Sequence, residues 1–205
     1  MNLHYATNTI SVAVAITLEE AQQAYTLTKV SFADAEQTKA PYLAVNPKGR
    51  VPALEAGGTV LTETGALLDF IAALAPEADL IPSDPLQAAK MRSVMYYLAS
   101  TMHINHAHKM RGSRWADLPE SHADMAAKVT QTMTTSAEYL EAECLHGPFI
   151  LGEQFTIGDA YLFIVCSWLE GDGVDVANFP KITTFMAAMN ARASVQKMRD
   201  TKVLV

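Results

Sequence analysis

The spacing of apolar positions changes near residue 80, and the two parts of the chain predict different architectures. In the first, Leu3 and Tyr5 alternate with polar neighbours, and YTLTKVSF (Tyr25 to Phe32) is rich in β-branched and aromatic residues. VPALEAGGTVL (Val51 to Leu61) reads as two strands about Gly57 and Gly58. Three to four strands are predicted, the last two forming a hairpin. Between the first two strands, Ile10, Val12, Val14, Ile16 and Leu18 alternate strictly, and period alone predicts a strand there. The good helix formers from Glu19 to Ala24 favour a helix over the second half of that segment.

PEADLIPSDPLQ (Pro76 to Gln87) carries three prolines and reads as a linker, because each removes a backbone donor and restrains its predecessor. Beyond it the pattern is helical. Met91, Val94, Met95, Leu98 and Met102 fall on one helical face, and Val129, Met133, Leu140 and Cys144 form a second stripe. A segment from about Gly158 to Leu169 is apolar all round, which predicts the buried centre of a helical domain. A further helix begins near Pro180 and carries Ile182, Phe185, Met186 and Met189 on one side.

With 205 residues, half of them apolar, the chain can bury two modest cores, so two domains are expected. The net charge of -7 argues against a nucleic-acid partner, since phosphate binding needs a basic footprint. The start, MNLHYATNT, has no basic segment followed by an apolar core. The longest apolar run, Ala160 to Leu169, is broken by Ser167 and too short to span a bilayer. A soluble, cytoplasmic protein with no membrane partner is expected. Cys144 and Cys166 have the spacing of neither a metal knuckle nor a disulfide framework and read as packing residues.

Three motifs carry a resemblance to the glutathione S-transferase family, closest to its bacterial beta class. NPKGRVPAL (Asn46 to Leu54) resembles the family's NPxGxVPxL, TETGALLDFIA (Thr62 to Ala72) is similar to its TE[ST]xAIxxYL, and FILGEQFTIGDAYLF (Phe149 to Phe163) matches YLLGDxFSxADxxLF. The resemblance implies a thioredoxin-like α/β domain over 1–77, a linker over 78–85 and an all-helical domain over 86–205. It also overrides the strand period of Ile10 to Leu18 in favour of a helix. It implies a cis Val51-Pro52 bond that turns the backbone of Val51 towards the cysteinyl backbone of glutathione, like an added strand. By the same resemblance Lys48, Val51, Pro52, Glu63 and Thr64 are the expected glutathione-binding set, with Thr64 and its amide expected to take the γ-glutamyl carboxylate and Glu63 the γ-glutamyl amine. Taken without the resemblance, Glu63 and Thr64 can also be read as a plain helix cap. In the third motif Thr156 and Asp159 stand at capping-box spacing, a folding role.

The family activates the glutathione thiol with a Tyr, Ser or Cys in the loop after the first strand. Here that loop reads Tyr5-Ala6-Thr7-Asn8-Thr9-Ile10-Ser11, with Ile10 at the beta-class cysteine position. A mixed disulfide between enzyme and glutathione is therefore not expected. The candidate catalytic donors are Asn8, Thr9 and Ser11, together with main-chain N–H groups of the turn; an ordinary turn or cap role remains open for each.

His103 and His106 share a helical face, and the resemblance puts that helix along the electrophile pocket. No ligand set completes a metal site around them, so no metal is expected, and a role as dipole partners at a helix end stays open. The implied activity is conjugation of glutathione, a co-substrate with no other cofactor, to a small hydrophobic electrophile by a homodimer. A non-catalytic glutathione binder and a glutathione-dependent isomerase or dehalogenase are the alternatives.

Overall fold

Leu3, at the centre of strand β1 (Asn2–Tyr5), is fully buried, and the first unit is assembled around that strand. The computed structural model describes residues 1–205. Helix α1 (Ser11–Glu20) carries β1 over to a parallel partner, β2 (Thr26–Lys29), and β1 also pairs antiparallel with β3 (Ala53–Ala56). The hairpin β3–β4 (Thr59–Thr62) completes a sheet of order β2-β1-β3-β4. Gly57 and Gly58 take φ of +56° and +78°, the pair of positive values that a two-residue turn of this twist requires. A short helix α2 (Ala40–Val45) precedes β3, and α3 (Thr64–Leu74) follows β4 and packs on α1. This is the thioredoxin-like unit that the resemblance implies.

The strict alternation of Ile10 to Leu18 lies in a helix. Every residue from Ser11 to Leu18 is buried, so α1 has no solvent face to impose a period of 3.6.

The second unit, Pro85–Met189, is helical. Helix α4 (Pro85–Tyr97) passes through a π-helical turn, Leu98–Met102, into α5 (His103–Arg111), and Met91, Val94, Met95, Leu98 and Met102 are all buried. Helix α6 (Pro119–Tyr139) ends in a second π-helical turn, Leu140–Cys144, and α8 (Pro180–Asn190) buries Ile182, Phe185 and Met189. Helix α7 (Ile157–Cys166) is buried over its whole length, as the pattern predicts. Its start carries the capping box of Thr156 and Asp159. Asp159 accepts from the Thr156 N–H at 2.7 Å, the Thr156 hydroxyl at 2.7 Å and the Ile150 N–H at 2.8 Å. No helix is long and apolar enough to cross a membrane.

One boundary differs from the sequence division. Asn190–Val205, assigned there to the helical domain, belongs to the unit formed by Met1–Asp84. The reason is electrostatic as well as apolar. Arg192 forks onto both oxygens of Glu20 at 2.7 and 2.6 Å, Lys197 pairs with Glu19 at 2.8 Å, and Val195 and Met198 of α9 (Ala193–Asp200) are fully buried.

Candidate functional site

The turn after β1 is tied to itself. The Thr9 hydroxyl donates to the Ala6 carbonyl at 2.8 Å and lies 2.6 Å from the Ser11 hydroxyl, while Ser11 Oγ accepts the Ala6 N–H at 3.2 Å and reaches the Ala6 carbonyl at the same distance. Whichever hydroxyl donates in the short contact, both hydrogens are directed within this ring. Ser11 is fully buried and Thr9 half-buried. Asn8 is exposed, takes φ of +58°, and accepts the Val205 N–H on its side-chain oxygen at 2.8 Å. Helix α1 opens without a side-chain cap, and the main-chain N–H groups of Ile10 and Ser11 make no hydrogen bond within the chain. Two of the four orphan donors of this helix start are thus uncommitted beside the turn.

The second element is the bend into β3. The Val51-Pro52 bond is cis, and neither the N–H nor the C=O of Val51 is paired with the chain. The carbonyl just before it, that of Arg50, is fixed by two donors: the Tyr42 hydroxyl at 2.7 Å and Asn46 Nδ2 at 2.6 Å. Burial pushes the Tyr42 phenol up to about 12, so it is a donor throughout the neutral range. A small apolar cluster of Ala6, Val30, Tyr42 and Val51 packs the turn after β1 against this bend. Sequence reasoning assigned Tyr42 and Asn46 no role. The only signal was Asn46 at the head of the NPKGRVPAL motif; nothing marked Tyr42.

The third element is the start of α3. Glu63 has φ of +71°, a region that residues with a Cβ rarely occupy and that costs about 1–3 kcal/mol. No side chain caps this helix, and the Thr64 hydroxyl and the N–H groups of Thr64, Gly65 and Ala66 make no bond within the chain. The plain-cap alternative for Glu63 and Thr64 is therefore not the geometry present. Lys48 donates to Glu63 Oε1 at 2.5 Å and to the Thr62 hydroxyl at 2.7 Å. Glu63 is 75% exposed, so the pair contributes about 0–1 kcal/mol and is easily exchanged for another partner. Lys48, Val51, Pro52, Glu63 and Thr64 all lie in the first unit, along with Asn8, Thr9 and Ser11.

The histidine candidates belong to the second unit. His106 stacks on Trp168 at 4.3 Å and its Nδ1 lies 2.7 Å from Asp172, whose side chain is 1% exposed. Lys109 also approaches Asp172, at 3.5 Å. The His103 ring lies 5.0 Å from that of Trp168, and His108 packs edge-on against Trp115. No group of three or more His, Cys, Asp or Glu side chains is assembled that could hold a metal. Cys144 and Cys166 are buried free thiols, and burial raises both pKa values.

The sequence and the fold match known proteins. The family profile "Glutathione S-transferase, N-terminal domain" matches residues 3–73, and "Glutathione S-transferase, C-terminal domain" matches residues 123–188. The chain is 30% identical over 199 residues to the glutathione S-transferase GstA of Escherichia coli O157:H7, covering 96% of each. A crystal structure of a glutathione transferase homologue from Sulfitobacter with bound glutathione is 60% identical, covers 99% of this chain and 98% of that one, and superposes with a TM-score of 0.98. The bacterial beta-class glutathione S-transferase of Sphingomonas chungbukensis is 28% identical over all of both chains, with a TM-score of 0.85.

Proposed function

This chain belongs to the glutathione S-transferase family, and we propose that it binds glutathione on its first unit and delivers the thiolate to a small hydrophobic electrophile. The observation that carries the proposal is the start of α3, where Glu63 is held at φ of +71° and the helix opens with its donors and the Thr64 hydroxyl uncommitted. A helix start of this kind favours a carboxylate, and strain at a residue with a Cβ is a recurring feature of ligand sites. The γ-glutamyl carboxylate is placed on Thr64 and its amide, and the γ-glutamyl amine on Glu63, with Lys48 as its exchangeable partner. The cysteinyl backbone pairs with Val51. That arrangement sends the sulfur towards the turn after β1.

There the thiol proton leaves to solvent, and the thiolate is held by the N–H groups of Ile10 and Ser11 at the positive end of α1, with the Thr9 hydroxyl joining them if it turns out of its bond to Ala6. The sulfur then attacks an electrophilic carbon, a thioether bond forms, and the leaving group departs with its bonding electrons. Ile10 at the place of a nucleophilic cysteine removes the thiol needed for a mixed disulfide with glutathione. Assembly as a homodimer is part of the proposal, and sedimentation velocity reads it directly.

One observation favours binding without turnover. The Thr9 and Ser11 hydroxyls are closed on Ala6, so neither hydroxyl is turned outward in this conformation. The deciding experiment follows thioether formation between glutathione and an activated aryl chloride at pH 6.5. Conjugation well above the uncatalysed rate is expected; saturable glutathione binding with no excess rate across a panel of electrophiles would replace conjugation with the binder reading.

A further inference from the structure

The last residues of the chain return to the turn after β1. After α9, Val203 and Leu204 are buried, and their N–H groups both bond to the Met198 carbonyl, at 2.9 and 3.0 Å. The backbone then meets the turn at three points. The Thr7 hydroxyl donates to the Lys202 carbonyl at 3.4 Å, the Asn8 N–H to the Val203 carbonyl at 3.2 Å, and the Val205 N–H to Asn8 Oδ1 at 2.8 Å. These last two bonds grip Asn8 by its main chain and its side chain together, at a residue in the left-handed region. Asn tolerates that region better than most residues with a Cβ, but not without restraint.

Resting on the glutathione reading above, we propose that Asn8 is a positioning residue and that residues 202–205 form part of the thiol-activating site of their own chain. Asn8 does not donate to the sulfur. Its side-chain oxygen spans to the Val205 N–H and fixes the left-handed residue that starts the turn. The next two N–H groups of the turn beyond Thr9, those of Ile10 and Ser11, take their direction from it. The segment is anchored well away from the sulfur, by the Arg192–Glu20 fork and the Lys197–Glu19 pair on the far end of α1. It therefore acts as a brace between the end of α1 and the turn before its start. Asn8 thereby acts apart from the thiol donors of its loop.

Two substitutions on opposite sides of one hydrogen bond test the proposal. Val205→Pro removes the N–H from an exposed residue, with Val205→Ala as the control that keeps it. Asn8→Gly keeps the left-handed conformation and removes the acceptor. The readout is the thiol pKa of bound glutathione, followed by thiolate absorbance against pH. Val205→Pro and Asn8→Gly are each expected to lower the thiolate fraction at neutral pH about three- to tenfold, the effect of one neutral hydrogen bond lost from the restraint. The double variant is expected to be no worse than either single one, because both remove the same bond. Affinity for S-methylglutathione, which has no thiol, should stay at the wild-type value in all of them. A shift with Asn8→Gly and none with Val205→Pro would make Asn8 a direct donor and overturn the proposal. So would an unmoved pKa in both variants, even with a lower melting temperature, since that outcome is purely structural. A wild-type protein that does not bind glutathione would instead remove the underlying reading, and the proposal with it.

Discussion

The Tyr42 hydroxyl donates to the Arg50 carbonyl at 2.7 Å, placing a buried phenol immediately behind the unpaired backbone of Val51. Burial pushes that phenol from 10.0 up to about 12, so folding favours the neutral form. The stability it contributes is complete below the unfolded value near 10 and is lost as pH rises from about 10 through about 12. Urea midpoints measured across that window should fall, and Tyr42→Phe should flatten part of the fall. Tyr25, also raised by burial and by Glu19, accounts for a further part. At neutral pH Tyr42→Phe leaves Asn46 as the remaining donor to Arg50 and is expected to cost about 1 kcal/mol in stability.

Glu63→Gly should separate stability from binding. Glycine occupies φ of +71° without strain, so relief of the backbone is worth about 1 kcal/mol or more, against about 0–1 kcal/mol lost with the exposed Lys48 pair. A melting temperature equal to or above wild type is expected together with at least tenfold weaker glutathione binding. A variant that melts lower and binds normally would contradict both halves.

Asp159→Ala should be strongly destabilising in the second unit. It strands the N–H groups of Ile150 and Thr156 and the Thr156 hydroxyl, all at fully or nearly fully buried positions. A loss of about 3–5 kcal/mol is expected in denaturant unfolding, compared with about 1 kcal/mol for an exposed cap. Gly158→Ala should also destabilise, because its Cβ would lie 2.8 Å from Met91 Cγ and 3.1 Å from Ile150 Cδ1.

Cys144 and Cys166 should not react with an aromatic disulfide reagent in the folded protein at pH 8, since both are buried and burial holds both thiols protonated. Two equivalents should react on denaturation. Rapid labelling of either thiol in the native state would show that the core around α7 opens far more readily than its packing implies.

Much of the architecture was legible because several signals agreed on it. The hairpin announced itself through Gly57-Gly58, α7 through an apolar run behind Thr156-x-x-Asp159, and α4 through a methionine stripe that is buried throughout. Over Ser11 to Leu18 helix α1 was legible only through resemblance, since a helix buried on every side keeps no period to read, and the helix formers from Glu19 to Ala24 overran it, because α1 ends at Glu20. Lys48, Val51, Glu63 and Thr64 could be singled out in the sequence because each sits within a short contiguous motif. What could not be read was contact between distant parts of the chain. Asn8 meets Val205 across 197 residues, Glu20 meets Arg192 across 172, and His106 meets Asp172 across 66. Ser11 shows the same gap at short range: its hydroxyl suits donation to sulfur, but its burial and its bonds to Ala6 commit it to the turn.

The open start of α3 is proposed to hold the γ-glutamyl end of glutathione. Calorimetric titration of glutathione into wild type and into the Glu63→Ala, Thr64→Ala double variant reads this out. Saturable heat at one site per chain is predicted for wild type, with at least tenfold weaker binding in the double variant; equal affinity in the two proteins, or no saturation in either, would contradict it.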